Sequence, residues 1–153
     1  MIVDANKELV RRFIRDVFEE GRTESVDEFV ADDFVSQTWG PTGSGKAELK
    51  AAVARVAGAL ADVAFVVEDI IAEDDRVAVR LTASATQVGG FMGLAPSGKR
   101  YTISEIHIFR IAGVYLVEHW HQYDQPGMLR QLGAQPPVDG DRRRRCDSAQ
   151  PEV

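Results

Sequence analysis

The chain has 153 residues, a net charge of −6 and a single cysteine, Cys146. That length fits one domain, able to bury roughly 70% of its unfolded-chain surface without a metal or a disulfide. The acidic balance argues against nucleic-acid and anionic-membrane partners, and one cysteine excludes both an intrachain disulfide and a four-cysteine zinc site. Met1 to Phe13 has no apolar core of a signal peptide, and no apolar run approaches the roughly 20 residues of a spanning helix. The expected location is the cytoplasm.

Asp4 or Asn6 is positioned to cap a first helix, with Leu9, Val10, Phe13, Ile14, Val17 and Phe18 on one face. Thr23 opens a short second helix carrying Val26, Phe29 and Val30 inward. Phe34 to Trp39 reads as a short strand, followed by the turn-rich loop 40–45. Lys46 to Leu60 reads as a third helix, with Leu49, Val53, Val56 and Leu60 in one stripe. The period then changes to two. Val63, Phe65, Val67 and Asp69 share one side of a strand, and an acidic turn, 73–75, follows. Val77, Val79, Leu81, Ala83 and Ala85 alternate with more polar residues in the next strand. Gly89 to Gly98 is a loop holding Phe91 and Met92. Lys99 to Ile111 and Val114 to Tyr123 read as long strands joined tightly at Ala112-Gly113. Pro126 to Leu132 reads as a terminal helical turn. Helices first and antiparallel strands after define an α+β domain over residues 1–135, with helices packed on one face of a curved sheet. Residues 136–153 are nearly devoid of apolar side chains and read as a disordered tail, with Arg142 to Arg145 as a solvated charge run.

Gly40-Pro41-Thr42-Gly43-Ser44-Gly45-Lys46 imitates a phosphate-binding loop. The position that needs a hydroxyl for Mg²⁺ holds Ala47, and antiparallel strands follow, so the segment reads as a turn with Ser44 or Thr42 capping the third helix.

The chemistry concentrates in the last two strands. Glu105, His107 and Phe109 share one face of the first of these. Glu118, Trp120, Gln122 and Asp124 share one face of the second, provided no bulge intervenes, and His119 and His121 then point to the other side. Core positions exclude such groups unless they are paired or functional. Asp124 ends the strand and reads equally as a helix cap or as an acid/base at a pocket wall, where burial would raise its pKa. His107 reads as a structural histidine or as a catalytic one. No metal-ligand spacing is present, and no metal or other cofactor is expected.

Glu118-His119-Trp120-His121-Gln122-Tyr123-Asp124, followed by Gln131-Leu132-Gly133, resembles the ending of the SnoaL-like polyketide cyclase family. That family sits within the nuclear-transport-factor-2-like or ketosteroid-isomerase-like superfamily. Pro96-Ser97-Gly98-Lys99 and Phe109-Arg110 fit the same pattern. The resemblance implies a cone of helices over a curved antiparallel sheet, often a homodimer, and no cofactor. It implies ring closure of an apolar polyketide by intramolecular aldol condensation. Asp124 matches the family's acid/base, and His107 is placed to polarise a carbonyl or return a proton. Phe13, Gln37, Trp39, Phe91, Met92, Glu105 and Trp120 are the expected substrate contacts. Where the family often carries His or Asn, this chain has Gln37, which donates a hydrogen bond but does not shuttle a proton. The competing readings are a hydroxylase or epoxide-opening enzyme in the same pocket, and a binding domain without chemistry.

Overall fold

The computed structural model describes residues 1–37 and 44–134. Trp39, the glycines of the loop up to Gly43, and the tail 136–153 lie outside the described residues. Helix α1, Ile2–Phe13, runs without a break into a π-helical stretch, Ile14–Glu19. The apolar spacing predicts one helix through Phe18. The structure keeps the helix but widens its last turn, so that Glu20 N–H reaches back five residues to the Arg15 carbonyl at 2.9 Å. Widened turns of this kind recur at functional sites. This one is tied to the sheet by Glu19, whose Oε2 accepts from Phe65 N–H at 2.8 Å.

A 3₁₀ turn, Thr23–Ser25, leads into the short α2, Val26–Phe29, and then β1, Val30–Ser36. Helix α3 spans Lys46–Ala59. Its N-cap is Gly45 rather than Ser44: the Glu48 carboxylate reaches back to accept from Gly45 N–H at 3.1 Å. Strands β2 (Leu60–Glu73), β3 (Arg76–Gln87), β4 (Arg100–Ala112) and β5 (Tyr115–Tyr123) follow, and α4, Gln125–Gln131, closes the described fold. The sheet order is β1-β5-β4-β3-β2, antiparallel except for β1 beside β5. Gly113, at φ 62, makes the left-handed turn between β4 and β5.

The helices cover one face of the curved sheet. Val10 and Phe13 of α1 and Val17 of the π-helical stretch pack with Phe29 and with Val79, Leu81 and Phe109 of the sheet. Phe13 meets Phe29 and Phe109 edge-on at 5.9 and 5.6 Å. Pairs of this geometry contribute roughly 0.5–1.5 kcal/mol each beyond area burial. Phe13 is therefore a core residue at 1% exposure, not the expected substrate wall.

Strand β4 alternates without fault, with Tyr101, Ile103, Glu105, His107, Phe109 and Ile111 all inward. Strand β5 does not. Its pairing with β4 shifts between Arg110 and Ile111, so Leu116 faces Ile111 while His119 faces Phe109. Leu116 and Val117 are both buried. One extra residue reverses the parity of everything after it. His119, His121 and Tyr123 turn toward the helices, and Glu118 and Trp120 turn away.

Candidate active site

Five polar side chains meet beneath the helices. His107 and His121 are direct partners across β4 and β5, and Glu105 is the next inward residue on β4. Glu105 Oε2 lies 2.9 Å from His107 Nε2 and 3.3 Å from His121 Nε2. His107 Nδ1 lies 2.9 Å from His119 Nε2, and His119 Nδ1 lies 3.4 Å from Ser36 Oγ on β1. Glu105, His107, His119 and Ser36 are all buried.

Burial pushes the Glu105 carboxyl up, but contacts with His107 and His121 outweigh it and hold the group at about 2. Burial pulls His107 down to about 4, against the opposing pull of Glu105. His119 is also lowered, by burial first and by the neighbouring imidazoles second. At neutral pH the centre is thus one carboxylate beside neutral His107 and His119. A carboxylate only accepts, so His107 Nε2 carries the proton given to Glu105. The His107 Nδ1 lone pair then accepts from His119 Nε2–H, and His119 Nδ1 accepts from the Ser36 hydroxyl. The tautomers follow from this network. Every proton in it points toward Glu105.

His121 differs from its neighbours. Its ring is stacked between His107 at 4.0 Å and Tyr123 at 4.9 Å. Its buried Nε2 is within ion-pair range of Glu105 but misaligned for a hydrogen bond. Its Nδ1 has no hydrogen-bond partner among the described residues, and the ring lines a cavity.

That cavity holds about 490 Å³. Its walls come from Leu49, Val53 and Val56 of α3 and from Phe18 and Phe65, and its floor is the Glu105–histidine cluster. Phe91 and Met92 also line it. They belong to a tight turn in which Phe91 and Leu94 exchange backbone hydrogen bonds of 3.0 and 2.9 Å. The turn forces a left-handed φ of 51 on Met92 and 79 on Gly93.

Glu105, His107 and His121 present donor atoms within 4.8 Å of one another, as a metal centre would require. The fit fails on ring orientation. The two imidazoles lie 4.0 Å apart with only 13° between their planes. Rings so stacked do not both aim a nitrogen lone pair at one ion about 2 Å from each. The arrangement is one of hydrogen bonding and stacking.

Of the expected site residues, Glu105, His107, Phe91 and Met92 come together at the cavity. Four do not. Asp124 is exposed and caps α4, its Oδ1 accepting from Gly127 N–H at 2.9 Å. A Cβ at position 127 would collide with that carboxylate, so glycine there and the cap specify each other. Trp120 lies on the outer sheet face under the Arg76 guanidinium, at 5.7 Å. Gln37 is exposed, and only its backbone N–H bonds inward, to the His119 carbonyl at 2.9 Å. Phe13 is core. The buried polar group supplied by β1 is Ser36. The sequence reading also missed His119, His121 and Tyr123, because it assumed strict alternation along β5, and it passed over Tyr101, although plain alternation along β4 turns it inward. The adjacent apolar pair Leu116-Val117 was the available sign of a bulge.

Helices over one face of a curved, unclosed sheet, with an acid-imidazole cluster lining the cavity between them, define a small-molecule enzyme site in an α+β cone. The family model for SnoaL-like polyketide cyclase matches residues 8–132, and the chain belongs to that family. It is similar to the aklanonic acid methyl ester cyclase DauD of Streptomyces sp. (strain C5), 28% identical over 131 residues, 82% of this chain and 80% of that protein. The nogalonic acid methyl ester cyclase of Streptomyces nogalater is 29% identical over 125 residues, 80% of this chain and 93% of that protein. Among solved structures, TsrD from Streptomyces laurentii superposes with a TM-score of 0.78 at 28% identity, covering 86% of this chain and 97% of that one. The chain is a cyclase-type enzyme. No helix among the described residues is long and apolar enough to cross a membrane.

Proposed function

We propose that the protein closes a ring in an apolar polyketide methyl ester by intramolecular aldol condensation, with His121 as the acid/base and Glu105 as its charge partner. The carrying observation is the position of His121: its ring lines the cavity, its Nδ1 has no hydrogen-bond partner among the described residues, and its Nε2 lies 3.3 Å from a carboxylate. His121 Nδ1 takes a proton from the carbon between two carbonyls, leaving an enolate. Glu105 stabilises the imidazolium, and the added charge on His121 draws the Nε2 contact into line. Catalytic hydrogen bonds are often poorly aligned before substrate binds. The enolate carbon bonds to the acceptor carbonyl carbon, and the resulting alkoxide takes the proton back from His121. Nothing is consumed, so the scheme needs no cofactor. His107 holds Glu105 in place from its other side. The apolar walls fold the chain into reacting geometry, which supplies the orientation term.

The named activities of DauD and the Streptomyces nogalater cyclase support this substrate class. Conversion of aklanonic and nogalonic acid methyl esters, followed by chromatography, tests it. Turnover that is lost in Glu105→Gln supports the reading, and turnover unaffected by that change removes it.

A homodimer through the outer sheet face is part of the same proposal. Ile106 and Ile108 are 50% and 38% exposed there, and Ile108 pairs with Trp120. An apolar stripe of this kind suits a self-complementary contact.

A further inference from the structure

Tyr101 stands on the same inward face of β4 as Glu105, with Ile103 between them. It lines the cavity at 7% exposure. Its ring is fixed in the second apolar cluster, among Ala85, Ile103 and Met128. Its hydroxyl nevertheless makes no hydrogen bond among the described residues. The oxygen is not sealed off, because the buried side-chain polar atom left without a partner among the described residues is His121 Nε2; the hydroxyl stands open to a group that enters the cavity. Strand rise sets the Tyr101 and Glu105 backbones about 13 Å apart. That is the span of a polycyclic compound rather than of a single ring.

We propose that the Tyr101 phenol donates a hydrogen bond to a carbonyl, enolate or phenolate oxygen of the bound substrate, at the end away from the Glu105–His121 pair. This rests on the reading that the cavity takes a polyketide-type ring compound. It adds an anchor that fixes which end of the substrate faces the acid/base. The phenol is suited to this as a permanent donor. Burial, and then the Glu105 charge, push it up to about 12, so it keeps its proton at any working pH. Tyr123 is a poorer candidate. It is only partly buried and is held in a stack on His121.

The test uses alizarin, a three-ring dihydroxyquinone, titrated by absorbance into the full chain and into Tyr101→Phe. One hydrogen bond to a charged or strongly polar oxygen predicts about ten- to hundredfold weaker binding in Tyr101→Phe. The melting temperature of the ligand-free variant should be unchanged or higher, because no bond within the protein is lost. Equal affinities overturn the proposal. So does a lower melting temperature in Tyr101→Phe, which would mean that the hydroxyl is already paired. Failure of the wild-type chain to bind alizarin overturns it as well. The titration requires no turnover, so its result is separable from the cyclisation assay of Glu105→Gln.

Discussion

Glu105 and Asp124 are two carboxylates on neighbouring parts of the chain fold, and they differ in everything except chemical type. Glu105 sits mid-strand, 9% exposed, between two imidazoles. Asp124 sits one residue beyond β5, exposed, with its oxygen on a backbone N–H of α4. Desolvation strengthens every charge interaction around the first, while water screens the second. An acidic residue near a cavity thus means little until its neighbours are known. Partnered burial ties Glu105 to the imidazoles of the cavity, and a helix end makes Asp124 a cap.

The sharpest way to break this contrast is to remove the imidazole that Glu105 supports. His121→Phe keeps the ring stack and the volume but has no basic nitrogen. Turnover should fall by about 10²–10⁴-fold, the usual worth of a general base. A fall of less than about tenfold would shift the acid/base role elsewhere.

Stability against pH is the next lever. His107 is held at about 4 in the folded chain, below its ordinary 6.5, so between those values the unfolded chain binds the extra proton. Glu105 is held at about 2, below its ordinary 4.5, with the same consequence in the lower window. Stability rises with pH wherever the unfolded state binds more protons. Thermal melts followed by circular dichroism should therefore show a falling melting temperature as pH drops from 6.5 toward 3. Glu105→Gln should flatten the part below about 4.5, because the lost carboxyl no longer titrates. A flat profile in the wild type would contradict the buried pair.

At the other pole of the comparison, Asp124→Ala should cost about 1 kcal/mol of stability, as loss of an N-cap does. It should leave turnover within about twofold. A chemical-denaturation curve beside the same cyclisation assay reads both.

Much of this fold could be read from residue spacing. The inward face of β4, Glu105 and His107 included, follows from plain alternation, because that strand pairs with β3 from Arg100 to Arg110 without a bulge. The order of helices and strands, and the acidic turn at 73–75, were equally legible. The site was only half legible, for one physical reason. A bulge displaces register by a single residue, and a period-2 pattern carries no memory of phase across it. Glu118, Trp120 and Asp124 were therefore expected inside, and His119 and His121 outside. Even the two adjacent apolar residues, Leu116 and Val117, mark a slip without saying which side inherits the cavity. The π-helical turn that brings Phe18 over His107 and His119, at 5.5 and 6.2 Å, was hidden in the same way, because its apolar spacing is that of an ordinary helix.

The contrast between the two acids is tested most directly by parallel cyclisation assays of Glu105→Gln and Asp124→Asn, each a near-isosteric removal of one charge. The structure predicts at least about a hundredfold loss in Glu105→Gln, and near wild-type turnover in Asp124→Asn, since asparagine also caps a helix. The reverse order, with Asp124→Asn dead and Glu105→Gln active, would contradict the account.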